Sequence, residues 1–210
     1  MGNGNSPGPW NGPSSLAVDD GTMPRIGAPP PGPIGLDAKN EGAKTPPPPS
    51  ITDRVVAYAR ERLNSVHGNG ECFTLADDAL KNSGAKSAAD YGAVAPDVDY
   101  VWGKAVTRSD LKPGDVIQMK NYRVDIEQTT TNADGSQDII DIFEERPHHT
   151  AIVESIGTDG RVTVLEQNHP IGTSVTRNVF HLTNATYSSG STQSKVKVKG
   201  TLWYYRPQPR

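Results

Sequence analysis

Gly68-Asn69-Gly70-Glu71-Cys72-Phe73-Thr74-Leu75-Ala76 decides how the rest of the chain reads. It holds the only cysteine in 210 residues. Glycines 68 and 70 mark a tight turn. After it, Cys72, Leu75, Ala76, Ala79 and Leu80 fall at i, i+3, i+4, i+7 and i+8, one face of an α-helix. Asn82, Ser83 and Gly84 end that helix, with Gly84 suited to a left-handed cap. Cys72 therefore opens a helix, where the positive end of the macrodipole stabilises a thiolate and unpaired backbone N–H groups can bind an oxyanion. Taken alone, the pattern better fits a small buried hydrophobe, since free cysteine is among the most buried residue types.

Outward from this stretch, the organisation is one domain with a tail. Residues 1–49 are dominated by Gly, Pro, Ser and Asn and end in Pro46 to Pro49. They read as a disordered tail with local polyproline II character, chiefly a spacer, with an SH3- or WW-type partner as the other use. Residues 50–210 are the folded domain. Ser50 and Asp53 form a capping pattern, and Ile51, Val55, Val56, Ala59 and Leu63 give a helical stripe to about Asn64. A short helical turn is expected at Ser87–Tyr91 and a strand over Val98, Tyr100 and Trp102. Asp110 to Asp115 is a turn, followed by a strand at 116–119. Residues 121–130 and 137–145 read as the arms of an acidic hairpin. That hairpin is either a solvated edge guarded by charge or a rim that repels acidic substrates. Strands at 174–182 and 195–205 close the chain. Helices first and an antiparallel sheet afterwards make the class α+β.

The composition excludes several functions. Net charge is −3 and there is no basic patch, which argues against nucleic acid. One cysteine allows neither an internal disulfide framework nor a multi-cysteine zinc site. No apolar run has the length of a membrane span. The N-terminus lacks the regions of a classical signal peptide, so a cytoplasmic or non-classically exported protein is expected.

The segment 149–168 carries the chemistry. Gly157 to Gly160 is a turn, and a symmetric hairpin about it makes paired residue numbers sum to 317. His149 then lies opposite Asn168, and Glu166 lies opposite Ala151, diagonal to His149. Residues that are opposed or two apart share a face. His149, Glu166 and Asn168 thus gather at the open end of a face continued by Ala151, Val153, Val162 and Val164. Polar groups at the end of an apolar face are costly unless they satisfy one another. A carboxylate or amide can fix the tautomer of an imidazole, which can then serve a nucleophile as base. Cys72 with His149, oriented by Glu166 or Asn168, completes such a site. His148 and His169 are expected to point to the opposite face. Asn69 and His67 are further candidates for an oxyanion donor.

These residues resemble a known family. Gly70-Glu71-Cys72-Phe73-Thr74-Leu75-Ala76, Leu111-Lys112-Pro113-Gly114-Asp115-Val116-Ile117, His149-Thr150-Ala151-Ile152-Val153 and Val164-Leu165-Glu166-Gln167-Asn168 are similar to the successive motifs of CHAP domains. CHAP domains belong to the papain-like superfamily with the NlpC/P60 peptidases. The likeness is greatest to the branch holding the cysteine-protease-like C-terminal domain of some fungal actin-patch SH3 proteins. It runs from about residue 51 to 206. It implies a papain-like fold with N-terminal helices packed on an antiparallel sheet. It also implies Cys72 as nucleophile, His149 as base, and Glu166 and Asn168 as orienting residues. The implied activity is cysteine-dependent hydrolysis of amide bonds in peptides or peptidoglycan, with no metal or organic cofactor. The alternative is a catalytically silent module that binds a protein partner through its groove or its Pro-rich tail.

Overall fold

The computed structural model describes residues 47–96 and 98–210. The tail expected at 1–49 therefore lies almost wholly outside the described residues. Two helices, α1 (Ile51–Arg60) and α2 (Cys72–Asn82), precede seven strands: β1 (Lys104–Ala105), β2 (Val116–Thr131), β3 (Gln137–Ile156), β4 (Val162–Glu166), β5 (Thr176–Phe180), β6 (Ala185–Ser189) and β7 (Thr192–Arg206). They form one antiparallel sheet in the order β1-β7-β2-β3-β4-β5, with β6 paired to β7. The fold is the α+β arrangement that the order of elements implied. No helix among the described residues is long and apolar enough to cross a membrane.

The capping box of Ser50 and Asp53 starts α1, which ends at Arg60 rather than Asn64. Asn64 takes a left-handed conformation (φ 63°) that breaks the helical run. The expected turn at Ser87–Tyr91 is a short 3₁₀ helix, Ala88–Asp90. No strand forms over 98–102. The alternation there is spent on aromatic packing instead: the rings of Phe73 and Tyr100 lie 4.7 Å apart, and those of Phe73 and Trp102 5.2 Å apart.

Each face of the sheet has its own apolar cluster. Val55, Ala59, Leu75 and Ala79 of the helices pack on Ile152 and Leu165. On the other face, Ile117, Ala151, Val153 and Val164 pack with Tyr122 and Phe180. The Leu111–Asp115 turn joins the two layers. Gly114 N–H donates to Val153 O (2.8 Å), and buried Asp115 takes both Nε and Nη2 of Arg206. The Asp of the L-x-P-G-D stretch is thus a structural anchor.

β2, β3 and β7 are much longer than their neighbours and cross an irregular level together. At that level Asn121 is left-handed (φ 51°), β3 carries Pro147, and the β2–β7 register slips between Lys120 and Arg123 opposite Gly200. Ordinary pairing resumes beyond it, but the alternation in β2 has reversed. Ile117 and Met119 face the second cluster before the break, and Tyr122 and Val124 face it after. A one-residue irregularity exchanges the faces of everything that follows it.

Gly200 sits at this break with φ 99°, and a Cβ there would meet Asn121 O at 2.3 Å. Gly200→Ala is therefore expected to lose about 1–3 kcal/mol in urea unfolding, the scale of an imposed backbone strain. Gly92→Ala, which meets nothing within 4 Å, is the neutral control. Equal stability of the two variants would contradict the role given to the break.

Candidate active site

The Cys72 loop is held by its own glycine and by the end of β4. Gly68 adopts φ 57°, and a Cβ there would press on Thr74 Cγ2 at 2.5 Å. Gln167 is fully buried and binds the loop backbone from the other side. Its Oε1 accepts from His67 N–H (2.6 Å), and its Nε2 donates to His67 O (3.0 Å) and Glu71 O (3.2 Å). Helix α2 then begins at Cys72 with no side-chain cap. Among the described residues, the Cys72 N–H has no acceptor. An open donor at a helix N-terminus is the equipment for binding a developing negative oxygen.

The hairpin brings His149 to the thiol. β3 and β4 pair as Ile152↔Leu165 and Val153↔Val164, the register expected from the sequence. A bulge between Val153 and Ser155 shifts the turn end, so Ile156 pairs with Val162 rather than Arg161. β4 stops at Glu166, leaving the next stretch of β3 without a strand on that side. There the half-buried Cys72 thiol faces the His149 imidazole and the Thr150 backbone N–H, both of which favour its charged form. His149 Nε2 lies 2.8 Å from Glu166 Oε2, off the line of the ring N–H, so the contact is an ion pair rather than a straight hydrogen bond.

Glu166 has no solvent exposure, and both its oxygens are held. Arg146 donates Nε to Oε2 (3.0 Å) and Nη2 to Oε1 (2.7 Å), and Asn178 Nδ2 also donates to Oε1. Arg146 is itself sealed, 4.4 Å from the Phe180 ring centre, with Nη1 on Glu144 (2.9 Å). Period-two reading from His149 assigns Arg146 to the wrong face. The break at Asn121 and Pro147 is what turns Arg146 toward Glu166.

Asn168 is not on the imidazole. It is left-handed (φ 69°), its Nδ2 donates to Glu71 Oε2 (2.9 Å), and its Oδ1 accepts from Gly172 N–H (2.7 Å). The geometry thus replaces the expected orienting role with a brace on the residue before Cys72. His169, expected to point away, has its ring centre 6.0 Å from that of His149. His67 turns from the site onto Asp78 (2.9 Å).

The electrostatics follow from these contacts. Burial pushes the Cys72 thiol up, but the hydrogen bond and charge of His149 and the Thr150 N–H outweigh it, and the pKa lies below the ordinary thiol value. Burial pushes His149 down, yet Cys72 and Glu166 together raise it to about 9. Burial raises Glu166, while His149 and Arg146 bring it down to about 2. All three shifts favour a thiolate–imidazolium pair over its neutral form.

An open cleft of about 530 Å³ lies beside the sulfur, lined by Asn69, Glu71, Phe73, Val94, Tyr100 and His148. Asn69 Oδ1 is fixed by Glu71 N–H (3.1 Å) and Thr74 Oγ1 (2.6 Å), which leaves its amide NH₂ as a donor for the cleft. His148, on the face opposite His149 as expected, is a wall residue of this cleft set by Gln118 (3.2 Å). Gln118 in turn accepts from Trp102 Nε1 (2.9 Å) and Thr150 Oγ1 (2.8 Å). Among the described residues no three His, Cys, Asp or Glu side chains group to hold a metal ion.

A helix-borne cysteine set against a histidine from an antiparallel sheet is the design of a papain-like cysteine proteinase fold. The pattern of the AIM3/BBC1 cysteine proteinase-fold domain matches residues 49–209, and the chain belongs to that family. Among solved structures the chain is similar to Ly7917 with the hydrolyzing product of MDP, at 19% identity and a TM-score of 0.39, covering 69% of this chain. It spans 62% of that chain's length. No curated protein matches.

The Arg146–Glu166 pair gives a stability prediction. Glu166 falls from an ordinary 4.5 to about 2, so its contribution is present above 4.5 and is lost as pH falls toward 2. His149 rises from 6.5 to about 9, so its contribution is present below 6.5 and is lost as pH rises through 9. Arg146→Leu leaves a sealed carboxylate without its cation. It is expected to destabilise the domain by about 3–5 kcal/mol near neutral pH, and by less as acid neutralises Glu166. A loss that does not shrink on acidification, measured by urea unfolding, would contradict the pairing.

Proposed function

We propose that this domain is a cysteine-dependent amide hydrolase acting on a peptide or peptidoglycan-type bond. The observation that carries the reading is the Cys72–His149–Glu166 relay at the cleft wall, in which every shift favours the charged pair. The Cys72 thiolate attacks the carbonyl carbon of a substrate lying in the cleft. The oxygen that becomes negative turns to the Cys72 N–H and the Asn69 amide. His149 gives its proton to the leaving amine as the C–N bond breaks, and a thioester remains. Neutral His149 then takes a proton from water as the water oxygen attacks the thioester. The acid leaves, and the thiolate and imidazolium return. Glu166 holds the imidazole in place and stabilises its charge. The rigid Arg146 clamp keeps that carboxylate from turning away.

The cleft wall is half apolar, through Phe73, Val94 and Tyr100, and carries Glu71 at its edge. This favours a neutral or basic acyl portion beside the scissile bond over an acidic one.

The test is the rate of Cys72 alkylation against pH, in the wild type and in His149→Ala. As the sole thiol, Cys72 makes the signal unambiguous. An isolated thiol titrates near ~8.5. Fast labelling that persists below neutral pH and falls at least about tenfold in His149→Ala at pH ~6 is expected. Slow labelling indifferent to His149 would contradict the reading, and leave a silent papain-like module whose cleft binds a partner. Asn69→Ala is expected to lower kcat for a cleaved substrate by about 10²-fold or more with little change in alkylation, as loss of an oxyanion donor does.

A further inference from the structure

Beyond the break at Asn121 and Pro147, β2, β3 and β7 run on as an arm with two different faces. One face carries Asp125 and Glu127 of β2 with Lys195, Lys197 and Lys199 of β7, where Lys195 Nζ meets Glu127 (3.0 Å) and Lys199 Nζ meets Asp125 (3.3 Å). The other face carries Val124 and Ile126 of β2 opposite Val198 and Val196 of β7. A Lys-Val-Lys-Val-Lys strand is thus the arm's own answer to an acidic, apolar-alternating neighbour.

On the opposite side of β2, β3 presents isoleucines on the apolar face and an acid, Asp141, on the charged face, with no strand against them among the described residues. Over Gln137–Phe143 it pairs with β2 alone, because β4 engages β3 only at Ile152 and beyond. Among the described residues its outer edge is unpaired. Ile139, Ile140, Ile142 and Phe143 are 62%, 58%, 41% and 63% exposed. Ile140 and Ile142 continue the apolar face, opposite Gln128 and Ile126, and Asp141 continues the charged face, opposite Glu127 and between Ile139 and Phe143, whose ring lies 4.7 Å from the Arg123 guanidinium. Asp141 has no cation among the described residues.

Guarding the edge by charge explains the acids but not the isoleucines. Protected edges are short, or carry Pro, Lys or a bulge, and this segment has none of these until Pro147. A second copy pairing antiparallel about Asp141 would set Asp141 against its own image and Asp138 against Glu144 of the other copy, which like-charge repulsion opposes. A strand alternating basic and β-branched residues extends both faces at once. Its cations fall beside Asp141, and its apolar side chains fall on Ile140 and Ile142.

We propose that the outer edge of β3 at Gln137–Phe143 is a docking strand for an extended partner segment that alternates Lys or Arg with Val or Ile. Backbone hydrogen bonds supply the pairing and the two faces supply the selection, as in strand addition to other open edges. The site is independent of Cys72.

The test uses the full chain and a fluorescently labelled Lys-Val-Lys-Val-Lys peptide in anisotropy titrations, with Glu-Val-Glu-Val-Glu as control. Saturable binding of the first peptide only is expected, unchanged in Cys72→Ala. It should weaken strongly between about 0.1 M and about 1 M salt, as the screening length falls from about 10 Å to about 3 Å. Asp141→Lys and Ile140→Lys, both at exposed positions, should each weaken it at least about tenfold while circular dichroism stays unchanged. No binding of the Lys-Val peptide would overturn the proposal, as would binding that ignores both variants. Self-association of the chain that the two variants abolish would overturn it in favour of a second copy.

Discussion

A carboxylate with no access to water must be paired, and the site is built outward from that constraint. Glu166 is charged because Arg146 clamps both its oxygens, and Asn178 and His149 take what remains. β3 contributes Arg146 and His149, β4 contributes Glu166 and β5 contributes Asn178, so the network holds the three strands in one register. His149 inherits its position and its raised pKa from the network, and Cys72 inherits its lowered one from His149. The next two residues serve the same end. Gln167 pins the backbone of the cysteine loop and Asn168 pins Glu71, so Glu166-Gln167-Asn168 fixes base and nucleophile loop together.

Much of this arrangement was legible in the order of residue types. Helical spacing after Gly70 put Cys72 in the first turn of α2. Hairpin arithmetic put Glu166 diagonal to His149, because the register holds at the site end and the bulge falls nearer the turn. Strand periodicity failed where the backbone stopped being periodic. Arg146 was hidden because the irregularity at Asn121 and Pro147 reverses the alternation between it and His149. Asn168 was assigned to the imidazole because it was treated as a strand residue, whereas its left-handed backbone swings the amide to Glu71. Val98, Tyr100 and Trp102 alternate as a strand does, but the Tyr100 and Trp102 rings pack on Phe73 and the backbone pairs with no strand among the described residues.

The same irregular level divides the sheet. Inside it, the strands carry the relay and pack against two helices. Outside it, they form an arm with no helix on either face among the described residues, held by a ladder of lysines and carboxylates and a row of valines and isoleucines. Exposed ion pairs contribute little stability each, so the arm depends on its pairing and its apolar row. Its open edge and the cleft beside Cys72 are lined by different residues of one domain.

The central claim is that the folded protein holds His149 as an imidazolium against the Cys72 thiolate. The most direct measurement is an NMR titration of the His149 ring in the wild type and in Cys72→Ala, with the signal assigned by loss in His149→Ala. The account predicts a pKa raised to about 9 in the wild type, and a marked fall when the sulfur is removed. A His149 that titrates near an ordinary 6.5 in both proteins would contradict it, because no ion pair would then exist at neutral pH.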